Sequence, residues 1–304
     1  MGLTTSKVSE IAKKHGLIIR EDFIEFHESG LDFHVAFAHD VEGSQWVLRI
    51  PRRPDVLPQA AKEKKILDLV VPHLSVAAPE WEIFSNELIA YKLLSGFPVG
   101  TIDPEEKAYI WAIDEENVPI IYHETLARSM VSIHRISQEQ AAEAGMQAYT
   151  AEEVRSNTQK RMERVKENYE IDEKLWSRWQ EWLHNDAFWP ERTAVIHGDL
   201  HPGHILIDDT SRVTGLIDWT EARVDDPATD FVSHYMAFGE DALERLIEAY
   251  EKAGGYVWSS MGEHIKELQT VYPVTVAEFA ERSGSEEFEK LAQQLLQAKD
   301  PLRK

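Results

Sequence analysis

The feature that most limits what this chain can fold into is a pair of acids, Asp199 and Asp218, each set at the end of short apolar runs. Val195 and Ile196 precede the first, Ile205, Leu206 and Ile207 follow it, and Val213, Leu216 and Ile217 lead into the second. Runs this short, rich in β-branched residues, read as buried strands. Asp208-Asp209-Thr210-Ser211 supplies a turn between two of them. The predicted hairpin delivers both carboxylates at strand ends and onto one cleft.

The spacing inside this stretch has a chemical meaning. In a protein-kinase catalytic loop of the form H-R-D-x-x-x-x-N, the Asp accepts the substrate hydroxyl proton. The residue five positions later, together with a second Asp in a D-F-G turn, holds metal ions. Here His197-Gly198-Asp199 is followed at the same offset by His204, and Asp218-Trp219-Thr220 stands where D-F-G would. Converging carboxylates suit Mg²⁺, which takes hard oxygen ligands and keeps several waters.

Charge and composition exclude several classes. With 32 basic and 54 acidic residues the net charge is −22. That balance repels nucleic-acid phosphates and attracts cations, beside its ordinary role in keeping a surface soluble. No run approaches the ~20 apolar residues of a membrane span. The absence of cysteine removes disulfides, thiolate zinc sites and a cysteine nucleophile. The N-terminus lacks the basic and apolar blocks of a signal peptide, so a cytoplasmic, monomeric protein without nucleic-acid or membrane partners is expected. Met1-Gly2-Leu3-Thr4-Thr5-Ser6 fits the form of a myristoylation signal, but no basic cluster backs it.

At 304 residues the chain exceeds the usual single core. Residues 31–38 and 45–50 read as strands joined by the turn Asp40-Val41-Glu42-Gly43-Ser44, and 59–69 as a helix ended by Pro72. After about residue 124 the periodicity is helical: 156–184, 241–253, 264–282 with a break or kink at Pro273, and 285–298. Strands first and helices after predict two lobes, residues 1–92 and 93–304, joined by a short hinge within 90–96.

Four groups of residues now combine: Trp46-Val47-Leu48-Arg49-Ile50-Pro51-Arg52-Arg53; His197-Gly198-Asp199-Leu200 with Gly203-His204; Ile217-Asp218-Trp219; and Glu221-Ala222-Arg223-Val224-Asp225-Asp226-Pro227 with Asp230. Over nearly the whole chain they resemble the aminoglycoside-phosphotransferase-type small-molecule kinases, and among these the macrolide 2′-phosphotransferases. The resemblance implies an α+β, bilobal, protein-kinase-like fold with an antiparallel β N-lobe that binds nucleotide and a mainly helical C-lobe. It implies Asp199 as catalytic base, with His204 and Asp218 on Mg²⁺; His204, where Asn is usual in kinases, is the residue of the macrolide branch. Arg49 stands in the place of the phosphate-binding lysine of V-A-I-K, with Glu63 as the partner that orients it. Ser29, in Ser29-Gly30-Leu31-Asp32-Phe33, is expected to cover the nucleotide, although an ordinary hairpin turn explains that segment equally well. Lys92 and Leu94 are expected to offer backbone groups to the purine of GTP or ATP.

His197 and Asp230 are expected to tie down the catalytic segment, Asp230 being readable also as a helix N-cap. The implied acceptor is a macrolide, whose 2′-hydroxyl on a cationic amino sugar would be phosphorylated and the antibiotic inactivated. Candidates for its pocket are His201, Asp230, Tyr235, Met236, Phe238, Trp258, Val271, Tyr272, Val274 and Glu278. Other acceptors, aminoglycosides or metabolite alcohols, keep the same fold. Readings of another class are a metal-dependent hydrolase built on His197, Asp199, His201 and His204, and a non-catalytic nucleotide-binding module. Trp176, Trp179 and Trp182 are assigned to packing.

Overall fold

The computed structural model describes residues 3–27, 32–103 and 108–298. Helix α1 (Thr5–Lys14) is capped by the Thr4 hydroxyl, which accepts from the Lys7 amide at 3.3 Å. Strands β1 (Glu25–His27), β2 (Phe33–His39) and β3 (Gln45–Pro51) follow, then α2 (Leu57–Val70), β4 (Ile83–Phe84) and β5 (Ile89–Lys92). They build an antiparallel sheet in the order β1-β2-β3-β5-β4. Asp40 closes the β2–β3 turn by accepting the amides of Glu42 and Ser44 at 2.9 and 2.8 Å. Alternation along β3 sends Trp46, Leu48 and Ile50 into a core with Val8, Ile11 and Ala12 of α1. Arg49 is left on the opposite face.

Beyond Lys92 the chain leaves this sheet. Strands β6 (Phe97–Pro98), β7 (Gly100–Ile102) and β8 (Tyr109–Trp111) lead to helices α3 (Ile120–His134), α4 (Gln138–Glu143), α5 (Ala151–Asn168) and α6 (Glu173–His184). Strands β9 (Ala194–Ile196), β10 (Ile205–Ile207), β11 (Val213–Leu216) and β12 (Arg223–Asp225) carry the two acidic loops. Helices α7 (Thr229–Lys252), α8 (Met261–Thr270), α9 (Tyr272–Ser283) and α10 (Glu286–Gln297) complete the chain. Strand β10 pairs antiparallel with β11 and with β6, and β12 with β9. The hairpin turn is the expected one: Asp208 accepts the Thr210 and Arg212 amides at 2.9 and 3.1 Å, and Ser211 takes a left-handed φ of 63°.

Two helical expectations are corrected and one is met. The helix expected over 156–184 is two helices, because Asp172 caps a new start by accepting the Lys174 and Leu175 amides at 2.9 and 3.2 Å. The helix expected to begin at residue 241 begins at Thr229 and runs through a kink at Gly239, whose φ is 80°. The break expected at Pro273 within 264–282 is found: the pattern divides into α8 and α9, with Pro273 in the first turn of α9, where its missing N–H costs nothing. Trp179 and Trp182 are buried in a core shared by α5, α6, α9 and α10, their indole N–H groups donating to Thr270 Oγ1 at 2.8 Å and His264 Nδ1 at 3.0 Å. No helix among the described residues is long and apolar enough to cross a membrane.

Candidate active site

The geometry of the site starts with a buried ion pair. Arg49 Nη1 donates to both carboxylate oxygens of Glu63 at 3.0 Å, joining β3 to α2. Phe33 and Trp81 lie against the guanidinium at 4.4 and 5.4 Å from their ring centres. Burial works against the charge on Arg49, but Glu63 more than offsets it and the guanidinium is held above its ordinary value. Burial, with a smaller push from Asp218, lifts the Glu63 carboxyl against the pull of Arg49. Beside a guanidinium with no proton to lose, the pair stays ionised.

The first acidic loop hangs from Asp230, which sits in the first turn of α7 and is 1% exposed. Its carboxylate accepts the His197 amide at 2.9 Å, the Gly198 amide at 2.8 Å and His134 Nε2–H at 3.1 Å. Between strand β9 and Asp199 the backbone turns through Gly198 at a φ of 81°, and a Cβ there would lie 2.4 Å from the Glu221 carbonyl oxygen. Only glycine fits both demands. His197 is buried beneath, its Nε2–H donating to the Ile217 carbonyl at 3.1 Å while Nδ1 accepts the Asp199 amide at 3.3 Å. One imidazole thus ties the first acidic loop to the strand that ends at the second. Burial keeps that ring neutral by lowering its pKa, against the pull of Asp230.

Asp218 adopts a left-handed φ of 62°, unusual for a residue with a side chain. The Thr220 hydroxyl donates to its Oδ1 at 2.7 Å, and Trp219, fully buried, packs on His197 at 4.6 Å between ring centres. His204 stands between the two acids: Nδ1 lies 3.0 Å from the Asp199 carbonyl oxygen and 3.5 Å from Asp199 Oδ2, and Nε2 lies 3.7 Å from Asp218 Oδ2. His201 lies against it at 3.8 Å between ring centres and accepts the Gly203 amide at 3.0 Å. Burial, then the neighbouring His204, lowers the His201 pKa to about 4. Asp199, His201 and His204 each offer a ligand atom within 4.8 Å of the others.

Asp199 opens onto a cleft of about 710 Å³, within the usual range for small-molecule sites. Helix α5 lends Val154, Asn157, Thr158 and Arg161; α7 lends Thr229, Val232, Ser233 and Met236. Both sets repeat at i, i+3, i+4 and i+7, one face of a helix.

The sequence profile of the phosphotransferase enzyme family matches residues 24–264. The chain belongs to the phosphotransferase enzyme family. This phosphotransferase is similar to uncharacterized protein YcbJ of Bacillus subtilis (strain 168), at 42% identity over 96% of this chain and 95% of that one. Its structure is similar to that of the macrolide 2′-phosphotransferase MphH from Brachybacterium faecium, with a TM-score of 0.89 and 35% identity over 95% and 97% of the two chains. A macrolide 2′-phosphotransferase of type I matches at a TM-score of 0.88 and 36% identity, over 99% and 100%. The family places the chain among phosphoryl-transfer enzymes with alcohol acceptors. The hydrolase and non-catalytic readings fall away.

Not every expected residue of the phosphotransferase reaches the cleft. Asp199, His201, Met236, Val271 and Tyr272 line it. Asp230 is enclosed by the loop it holds, out of reach of a ligand's ammonium group. Tyr235 and Phe238 turn the other way on α7 into the main core, Phe238 lying 5.0 Å from Trp111. Val274 is buried in the core shared by α5, α6, α9 and α10. Trp258 donates to the Phe188 carbonyl at 2.8 Å, away from the cleft. Glu278 is neutralised by Arg161, at 2.8 Å, and by Arg164. On the nucleotide side, Ser29 lies outside the described residues. The Lys92 ammonium rests 3.8 Å over Trp46 and 3.3 Å from Asp40, on the α1 face of the sheet, so its backbone alone is available to a purine. Leu94 packs near Gly215, where an added Cβ would meet its Cδ1 at 3.3 Å. Tyr109, Tyr149, Asn157, Arg161, Glu221 and Gln269 line the cleft without having been expected there. The polar stripe on α5 was the signal for Asn157 and Arg161; for Tyr109 and Gln269 the sequence holds none.

Proposed function

We propose that this phosphotransferase transfers the γ-phosphate of a purine nucleotide, GTP before ATP, to the 2′-hydroxyl of a macrolide's amino sugar, and so inactivates the antibiotic. The observation that carries the reading is likeness over the whole chain to two macrolide 2′-phosphotransferases. In this reading residues 1–92 and 93–304 enclose the nucleotide, and the enzyme works as a cytoplasmic monomer. The net charge of −22 favours a cationic acceptor over an anionic one.

Asp199 takes the proton of the attacking hydroxyl. Phosphoryl transfer passes through a loose transition state, so alignment and charge neutralisation supply most of the acceleration and a carboxylate of near-ordinary strength suffices. Arg49, braced by Glu63, meets the nucleotide phosphates. His204 and Asp218 are fitted to hold a divalent ion, proposed as Mg²⁺. A carbonyl can only accept, so His204 Nδ1 carries the proton it donates to Asp199, and the Nε2 lone pair is left facing Asp218 Oδ2. Two ligands each ~2.1 Å from one ion lie at most about 4.2 Å apart, and the observed 3.7 Å is within that span. When bound, the ion neutralises charge on the phosphate oxygens.

The test is mass spectrometry of erythromycin after incubation with the purified protein, Mg²⁺ and either GTP or ATP. One added phosphoryl group, dependent on nucleotide, is expected. Nucleotide turnover with unmodified erythromycin would overturn the macrolide assignment. An aminoglycoside or other polar alcohol would then be the acceptor, in keeping with Asn157, Thr158, Gln269 and Thr275 on the cleft wall.

A further inference from the structure

A second cavity, of about 400 Å³, shares no wall residue with the acceptor cleft. Among its walls are His134 and Arg135 at the end of α3, Arg192 ahead of β9, Tyr250 in α7 and Tyr256 beyond it. Two arginines line it and no acidic residue does, in a chain with 54 acids against 32 bases. Arg192 is stacked on the Tyr256 ring at 4.2 Å, and Arg135 donates to the Gly254 carbonyl at 2.9 Å. Neither has a carboxylate partner among the described residues. In so acidic a protein, two guanidinium groups facing one cavity without a counter-charge form a receptor for an oxyanion, whose oxygens match their planar fork.

The wall of this cavity connects to the catalytic loop. Tyr250 Oη lies 2.7 Å from His134 Nδ1, and His134 Nε2 lies 3.1 Å from Asp230 Oδ2. An ionised carboxylate only accepts, so His134 Nε2 carries the proton, and a Tyr250 hydroxyl that donates to Nδ1 completes the chain. Asp230 in turn receives the His197 and Gly198 amides. The chain of donors ends one residue short of Asp199.

We propose that this cavity binds a small phosphate-type oxyanion through Arg135 and Arg192, and that its occupancy is passed to the catalytic loop through Tyr250, His134 and Asp230. The coupling follows from a proton count. Tyr250 has one hydroxyl proton, and an anion beside it competes with His134 Nδ1 for that proton. Once Tyr250 donates to the anion, His134 loses the bond that fixes its ring, and its hold on Asp230 slackens. The backbone of His197 and Gly198 is then less firmly tied. The consequence for catalysis rests on Asp199 being the base; binding of the anion does not.

Two probes, inorganic phosphate and glycerol 3-phosphate, are titrated by calorimetry into the full-length protein and into Arg192→Gln and Arg135→Gln, neither of which touches the acceptor cleft. Saturable binding is expected, weakened about tenfold in each variant, equivalent to about 1.4 kcal/mol. Tighter binding of glycerol 3-phosphate would mark a phosphate ester as the natural occupant, and tighter binding of inorganic phosphate the free ion. Amide hydrogen exchange at His197 and Gly198 reads the coupling. Phosphate should accelerate it several-fold in the wild type and leave it unchanged in Arg192→Gln. In Tyr250→Phe exchange should already be fast, and phosphate should not alter it. Equal phosphate affinity in the wild type and both arginine variants would overturn the site; binding without any change in exchange would overturn the coupling. Neither readout involves a macrolide or a nucleotide, so failure here is distinguishable from failure of the proposed activity.

Discussion

Replacing Arg49 by Met tests whether the Arg49–Glu63 pair is held together in a nearly dry interior. The two side chains are 17% and 3% exposed, so removing the guanidinium leaves a carboxylate buried without a counter-charge. Breaking such a pair from one side costs about 3–5 kcal/mol. The partial exposure of Arg49 places the expectation near the lower end, about 3 kcal/mol, to which loss of its contacts with Phe33 and Trp81 adds roughly 0.5–1 kcal/mol. The loss must depend on pH, in a known direction. In the variant, burial raises the folded-state pKa of Glu63 above its unfolded value, near 4.5. Below that value both states are protonated and the penalty is absent. As pH rises through the interval between the two pKa values, the unfolded chain sheds the proton first, and stability falls by about 1.4 kcal/mol per unit.

Urea denaturation followed by tryptophan fluorescence at pH 5 and pH 8 is the assay. Arg49→Met should be clearly less stable at pH 8 and closer to wild type at pH 5. The double variant Arg49→Met/Glu63→Met should recover most of the loss at pH 8, because two apolar side chains replace the pair without leaving a buried charge. A loss below about 1 kcal/mol, a loss equal at both pH values, or a double variant no better than the single would refute a buried, mutually dependent pair.

Asp199→Asn should lower kcat by about 10²–10⁴ with an unchanged unfolding midpoint, since it removes a proton acceptor from a half-buried position; steady-state kinetics beside a thermal melt checks both. His204→Asn exchanges an imidazole nitrogen for an amide oxygen, and competition of Mg²⁺ against Mn²⁺ monitored by Mn²⁺ resonance should show the balance moving toward Mg²⁺. An unaltered balance would remove His204 from the metal site. Gly198→Ala sets a Cβ 2.4 Å from the Glu221 carbonyl at a φ of 81°, and a stability loss of at least about 2 kcal/mol is expected in the same denaturation assay.

How much of this was legible in the sequence depended on the distance over which each feature is written. The two acidic loops were readable because their geometry is local: Asp199 and His204 are fixed by one short loop, and Asp218 by the strand that pairs with it. The Arg49–Glu63 contact joins a strand and a helix only 14 residues apart, and the resemblance of Val47-Leu48-Arg49 to V-A-I-K suggested it, with the helix over 59–69 supplying the partner. The acceptor wall was not readable in the same way. With a helix read only from 241, and Asp230 offering no more than an alternative cap ahead of it, the phase of residues 229–238 was not followed, whereas α7 starts at Thr229. Tyr235, Met236 and Phe238 were expected as an apolar wall, whereas the stripe facing the cleft is Thr229, Val232, Ser233 and Met236, so that only Met236 is shared. The break between α5 and α6 was written in the capping residues, with Thr150 and Glu153 forming a reciprocal cap at one start and Asp172 at the next. Continuous hydrophobic spacing across the break concealed it. The role of Asp230 needed partners from α3, β9 and the catalytic loop at once, which no local pattern encodes.

The environments of the two acids push them in opposite directions, and this supports a division of labour. Burial is the largest influence on both and by itself would raise both. At Asp199 it prevails over the pull of His204 and His197, so the carboxyl is held above its ordinary value. At Asp218 burial is overcome by the Thr220 hydroxyl, then by His204 and Arg49, so the carboxyl is held below it. When one fold drives two neighbouring carboxylates apart, the raised one is suited to exchanging a proton and the lowered one to remaining a fixed charge. That split agrees with the proposed roles, Asp199 as proton acceptor and Asp218 as metal ligand, and rests beside the geometry that sets His204 between them. His204 lowers both pKa values and touches both loops. Replacing it should therefore disturb metal affinity and the pH dependence of turnover together, whereas replacing Thr220 should act on the metal side alone.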